Sequence, residues 1–231
     1  MTLKLNLLRR DRAAEARAVT VRRLVIAGWT GRDAAATEAH IEELEAIGVP
    51  RPAAVPTFYR AAAALLTTTA AAIQVLGTDS SGEVEPVLLA AGAELWIGVG
   101  SDHTDRAAER AGVSLAKQLC AKPVGGKFWL FSEVADHWDD VMLRSWAVAG
   151  GERRLYQEGP AAALLRPEEL LERYRTQAPA PPSPETAMFC GTLPVIGALG
   201  HADRFEMCLD DPVLGRSIDA AYAVEVLPVV A

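Results

Sequence analysis

Little in this chain ties it to disulfide, nucleic-acid or membrane chemistry. It has three cysteines in 231 residues. Cys120, Cys190 and Cys208 are an odd set without metal-type spacing, which excludes a disulfide framework and a zinc ligand set and leaves buried thiols in a reducing compartment. Aromatic residues make up 6% and the formal net charge is −7. With no basic run and no aromatic-interleaved basic patch, a phosphate backbone finds no electrostatic footprint, so nucleic acid is excluded as a partner. No stretch approaches the roughly 20 apolar residues that span a bilayer, and the opening MTLKLNLLRR has no continuous apolar run or small-residue cleavage site. Membrane is excluded on the same footing, and the expected location is the cytoplasm. Internal repeats are absent as well. What the chain does have is apolar mass: half of it is hydrophobic, enough to bury one large core, and residues 1–231 read as a single domain.

Strand patterns outnumber helical ones. Leu3 to Leu8 and Val19 to Ala27 alternate as strands and open the chain as a hairpin, joined by the charged, alanine-rich segment Arg9 to Ala18. Thr30 to Ile47 has helical spacing, with Ala39, Ile41, Leu44 and Ile47 on one side and Gly48 and Pro50 as the stop. Val49 to Tyr59 carries Pro50, Pro52 and Pro56 and reads as loop, while Ile73 to Leu76 reads as strand. Thr104 to Leu119 is predicted as a helix, Val141 to Val148 with Arg153 to Gln157 as a hairpin through Gly150-Gly151, and Glu168 to Arg175 as a short helix started by Pro167. Ala178 to Pro184 is proline-rich and extended. Thr186 to Cys190, Arg204 to Leu209 and Tyr222 to Val230 are β-like, so the class is α+β with mostly antiparallel sheet.

One stretch stands out chemically. In a strand Glu83 and Glu85, two apart, point to the same side. The next β-rich run, Leu95 to Asp102, follows a short glycine-centred connection, so a hairpin would fold Asp102 back beside Glu83. Like charges held this close repel unless a cation neutralises them, and an all-oxygen set selects a hard ion such as Mg²⁺, Mn²⁺ or Ca²⁺. A solvated acidic hairpin edge is the other reading of the same spacing. His137 with Asp136, Asp139 and Asp140 is the sole rival metal cluster, or else a solvated acidic turn.

The order of motifs then matters: His40 and Glu43 on one helix, Glu83 and Glu85, Asp102, Ala121-Lys122, Tyr156-Gln157-Glu158-Gly159, and Cys190-Gly191-Thr192-Leu193-Pro194-Val195-Ile196-Gly197. From His40 to Val229 this order resembles the fumarylacetoacetate hydrolase-like family. That family carries a His-x-x-Glu lid, Glu-x-Glu and Asp metal ligands, an Arg four residues past the Asp, a Lys about twenty past it, a hairpin Gln and a late Gly-Thr-Pro turn. Arg106 and Lys122 fall at those offsets. There are departures: no asparagine-tyrosine pair precedes His40, Glu109 stands where larger members carry glutamine, and the turn has become Gly191-Thr192-Leu193-Pro194. The resemblance implies a mixed β-sandwich roll with flanking helices, an N-terminal hairpin and lid helix within residues 1–50, and a homodimer.

It also implies roles. Glu83, Glu85 and Asp102 would hold Mg²⁺ or Mn²⁺, with Ca²⁺ as a third hard ion. His40, oriented by Glu43, would activate a water, and Lys122 would steady a substrate carboxylate or a developing oxyanion. Arg106, Gln157 and Thr192 would bind the substrate, a small-molecule carboxylate. The implied reaction is C–C cleavage in a 2-oxo or 1,3-dicarbonyl acid by a metal-dependent hydrolase or lyase. An isomerase, hydratase or decarboxylase of 2-oxo acids keeps the metal and the enolate but omits hydrolysis, and a non-catalytic small-molecule-binding protein on the same scaffold is the alternative from another class. By residue chemistry alone, His40 and Glu43 also fit a surface pair, Lys122 a snorkelling core lysine, and Gln157 and Thr192 ordinary hairpin and turn residues.

Overall fold

The apolar run Leu24-Val25-Ile26-Ala27 has no polar face, and it forms a strand, Arg23–Gly28, buried on both sides. Its side chains alternate between two cores, Val25 and Ala27 entering one and Leu24 and Ile26 the other. The strand Val84–Ala91 does the same, with Leu88 facing the first core and Val87 and Leu89 the second. The computed structural model describes residues 1–46, 51–69, 72–177 and 185–230, apart from the side chains of His40 and Leu44.

Both strands belong to a ten-stranded mixed sheet. Its main path runs Arg12–Thr20, Thr2–Arg9, Lys127–Leu130, Glu94–Ser101, Val84–Ala91, Thr186–Phe189, Arg23–Gly28 and Thr57–Ala61, and Leu66–Thr68 and Lys122–Val124 pair off that path. A five-stranded sheet runs Glu152–Pro160, Met142–Ala149, Arg204–Asp211, Arg216–Leu227 and Ile73–Leu76. The first core lies between the sheets, where Leu88 and Val99 meet Leu143, Met207 and Ile218. The second core joins Leu3, Leu5 and Leu7 to Leu24, Val87, Phe128 and Phe189, all from the large sheet, so that sheet curls around its own second face. The result is an α+β, mixed β-sandwich roll with three flanking helices, α1 (Ala34–Ala46), α2 (Val113–Leu119) and α3 (Pro167–Gln177). No helix among the described residues is long and apolar enough to cross a membrane.

Some elements differ from the sequence reading. The expected connector Arg9 to Ala18 is itself mostly strand: Arg12–Thr20 pairs antiparallel with Thr2–Arg9. Only its Val19 is buried, so the strand offered no period of two to read. The predicted helix Thr104–Leu119 is broken into a two-residue strand, a 3₁₀ turn and α2. Gly112 makes the break, at φ +151°, a conformation open to glycine and costly for other residues. Helix α1 starts later than Thr30 because the carboxylate of Asp33 accepts the amides of Ala35 and Ala36 at 2.9 and 3.0 Å, capping it there. Thr57–Ala61, inside and just past the proline-rich loop, pairs antiparallel with Arg23–Gly28. Ile47 to Pro50 and Ala178 to Pro184 lie outside the described residues.

Candidate metal centre and active site

The site is built on one hairpin. Val84–Ala91 and Glu94–Ser101 pair antiparallel with Val84 opposite Ser101, across a two-residue turn that Gly92 enters at φ +68°. That register carries Asp102 back to Glu83, whose carbonyl accepts the Asp102 amide at 3.0 Å. Glu83 and Glu85 share a face, as the two-residue spacing requires, and one carboxylate oxygen from each of Glu83, Glu85 and Asp102 lies within 4.8 Å of the other two. Glu85 and Asp102 are buried, and Glu83 is mostly so. The hairpin is therefore a converging carboxylate cluster rather than a solvated acidic edge.

The backbone between the two glutamates is clamped. Val84 donates its amide to Gln157 Oε1 at 2.9 Å and accepts the Thr192 hydroxyl at 2.9 Å. The Gln157 carbonyl oxygen also accepts from Ser145 at 3.0 Å, and its amide nitrogen donates to Thr192 Oγ1 at 2.7 Å and to the Leu193 carbonyl at 2.6 Å. All four hydrogen-bonding positions of this amide are used, which leaves none for a substrate. Gln157 and Thr192 thereby position the Glu83-Val84-Glu85 backbone. Glu85 is fixed in turn by the Gly191 amide at 2.7 Å. Gly191 has φ +97°, and a Cβ there would fall 1.7 Å from Thr30 Oγ1, so no other residue fits this turn.

Three cations enclose the carboxylates. Arg106 lies 3.1 Å from Glu83 and 3.2 Å from Glu109, and donates from Nε to Ser81 at 2.8 Å. Lys122, fully buried, places Nζ 2.8 Å from Asp102 Oδ1 and donates to the His103 carbonyl at 2.5 Å. Lys117 was not expected from the sequence: its Nζ donates to Asp102 Oδ2 and lies 3.5 Å from Glu83 Oε2. The only sequence signal for it is an inverted helix, since α2 turns Ala116 and Lys117 inward and leaves Leu115 and Leu119 about half exposed. Burial pushes the Glu85 carboxyl well above the usual range, and the charge of Asp102 adds to this against the pull of Lys117. Burial also acts to raise Asp102, but Lys117 and Lys122 outweigh it and hold that carboxyl below its ordinary value.

These residues fit a hard divalent ion. The donors are all oxygen, and Asp102 Oδ1 is buried without an aligned hydrogen bond despite its ion pair with Lys122. The rival cluster does not form. His137 contacts the buried Asp211 at 2.9 Å, and Asp139 pairs with Arg32 at 2.7 Å. His103, beside Asp102, is buried between Tyr222 at 2.8 Å and Ser80 at 2.9 Å, and burial, with Lys122 and Arg106 nearby, pushes its pKa down to about 3, so it stays neutral.

His40 lies on α1 with its side chain outside the described residues, and Glu43 is exposed on the same helix. Helix α1 buries Ile41 and is otherwise largely exposed among its described side chains. Its lead is nonetheless tied to the site: Thr30 packs on Gly191, and its carbonyl accepts the Leu165 amide at 2.8 Å. A cavity of about 310 Å³ opens beside this lead, lined by Trp29, Arg32, Thr37, Glu38, Leu165 and Arg173 among others, and no triad residue reaches it.

Several solved structures share this fold. Cg1458 aligns with a TM-score of 0.65 and 13% identity over 98% of this chain and 89% of its own. A 2-keto-3-deoxy-D-arabinonate dehydratase complexed with magnesium and 2,5-dioxopentanoate aligns with a TM-score of 0.64 and 14% identity over 94% of this chain and 79% of its own. The 4-oxalocrotonate decarboxylase of Pseudomonas putida G7, complexed with calcium and acetate, gives 0.55 and 14% over 88% of this chain and 76% of its own. No curated protein matches the chain by sequence. Residues 27–222 match the sequence model of the family described as "Protein of unknown function (DUF2848)", and the chain belongs to that family.

Proposed function

We propose that the protein is a metal-dependent enzyme of the fumarylacetoacetate hydrolase-like type that hydrolyses a C–C bond in a small, acylpyruvate-like 2-oxo or 1,3-dicarbonyl acid. The observation that carries this is the triad, three carboxylates that each bring one oxygen within 4.8 Å of the other two at one hairpin edge. The fold supports it, being shared with a dehydratase complexed with magnesium and 2,5-dioxopentanoate and a decarboxylase complexed with calcium and acetate. Held by Glu83, Glu85 and Asp102, Mg²⁺ or Mn²⁺ would supply Lewis-acid polarisation of the 2-oxo group and an electron sink beside it.

The chain's own residues do the positioning. Gln157, Thr192 and Gly191 hold the two glutamates in register through the backbone and Glu85 Oε2. Arg106 Nη2, buried 3.1 Å from Glu83 Oε1 without an aligned hydrogen bond, would in this reading also reach the substrate carboxylate. Lys122 fixes Asp102 and brings positive charge to the developing oxyanion. His40, oriented by Glu43, takes the proton of the attacking water when α1 closes on bound substrate. A cytoplasmic homodimer is part of the same proposal. The exposure of Glu43 on α1 favours one second reading, an isomerase, hydratase or decarboxylase of 2-oxo acids, which keeps the metal and the enolate but omits hydrolysis.

Purified, metal-depleted protein assayed on acylpyruvates, oxaloacetate and 4-hydroxy-2-oxo acids tests this. Turnover is expected only with Mg²⁺ or Mn²⁺ added. Glu85→Gln should abolish metal binding by calorimetry in a folded protein, and metal retained by a Glu83→Ala/Glu85→Ala double variant would end the assignment. His40→Ala should lower kcat by about 10²- to 10⁴-fold with metal affinity unchanged. A wild-type rate in that variant selects the second reading.

A further inference from the structure

Lys117 lies outside every role assigned above, yet its ammonium bridges two of the three triad carboxylates. Nζ donates to Asp102 Oδ2 and lies 3.5 Å from Glu83 Oε2, and its charge also acts on Glu85. An ion coordinated by all three carboxylates must approach their oxygens to about 2.0–2.4 Å, and the ammonium already sits against two of the three, Asp102 and Glu83. We propose that Lys117 is the resident cation of this site and that a divalent ion enters only by displacing it, so that Lys117 sets how tightly the triad binds metal. This rests on the metal reading of the triad.

Charge and anchoring both argue for displacement. Glu83, Glu85, Asp102 and Glu109 face Lys117, Lys122 and Arg106, so the cluster is already close to neutral without a metal. A divalent ion added beside an unmoved Lys117 would leave excess positive charge in a buried space. Lys122 is fixed by the His103 carbonyl and Arg106 by Ser81 and Glu109, whereas Lys117 has carboxylates of the triad as its partners and the Tyr59 ring 6.0 Å away. Helix α2 can yield: it follows Gly112, whose φ of +151° faces open space, and only Ala116 and Lys117 of the helix are buried. Ejecting Lys117 removes one of the two buried side chains of α2, leaving Ala116 and the Gln118–Ala62 hydrogen bond to hold it, so metal entry and loosening of that helix are one event.

The test uses metal alone. Calorimetric titration of metal-depleted wild type, Lys117→Met and Lys117→Gln with Mn²⁺ should show at least tenfold tighter binding in both variants. Hydrogen exchange of the wild type should show faster exchange at 113–119 on saturation with Mn²⁺. Equal or weaker binding by the variants overturns the proposal, and so does unchanged or slower exchange at α2 in metal-saturated wild type, a measurement that needs no variant to fold. The two readings fail differently: unchanged affinity alongside metal-dependent turnover removes the role of Lys117 alone, whereas no binding to any of the three proteins removes the metal reading with it.

Discussion

Burial sets the chemistry of the thiols as firmly as that of the triad. Removal from water pushes Cys120 up to about 11 and Cys208 up to about 12, with the Asp219 carboxylate adding to the second. All three cysteines are free and buried, as their odd number and spacing suggested. The linkage has a definite sign. A thiol whose pKa is higher folded than unfolded binds its proton more tightly in the native state, so its stabilisation is complete below about pH 9 and is lost as pH rises to about 12. The melting temperature should therefore fall across that window, and Cys208→Ala should flatten the fall. An identical alkaline profile in that variant would assign the loss elsewhere.

At the scale of elements, two features decide whether the carboxylates meet: the hairpin register and the clamp on Val84. Gln157, on Glu152–Pro160 of the smaller sheet, reaches across to Val84 of the larger sheet and to Thr192 and Leu193. Gln157→Leu would leave the buried Val84 amide and the Leu193 carbonyl without partners. It should cost about 1–3 kcal/mol by urea denaturation and weaken Mn²⁺ binding without touching a ligand. Loss of stability with metal affinity unchanged would make the clamp a purely structural tie. Helix α1 is the contrasting element. With Asp33 as its cap, it buries Ile41 and leaves most of its other described side chains exposed.

Across the whole molecule, a second buried charge network ties remote segments together. Asp211, fully buried on the smaller sheet, contacts His137 at 2.9 Å and Arg216 at 3.1 Å, and Arg216 reaches Glu133 at 3.0 Å and stacks 4.6 Å over Trp129 of the large sheet. Asp211→Ala should destabilise by about 3 kcal/mol, at the low end for breaking a buried pair because Arg216 keeps Glu133. Unchanged stability in guanidinium denaturation would contradict this. The sequence by itself determined the fold class, strand character across Leu24 to Ala27, helix α3 behind Pro167, and the convergence of Glu83, Glu85 and Asp102, because these follow from local periodicity and one short hairpin. The tertiary structure alone decided the rest. Arg12–Thr20 is a strand only because Thr2–Arg9 supplies its hydrogen bonds, and Gln157 is saturated because Val84 and Leu193 approach it from distant parts of the chain. Lys117 enters the triad because Gly112 breaks the helix before it. Partners so far apart in sequence leave no periodic trace, and only packing brings an ammonium and a carboxylate together out of water.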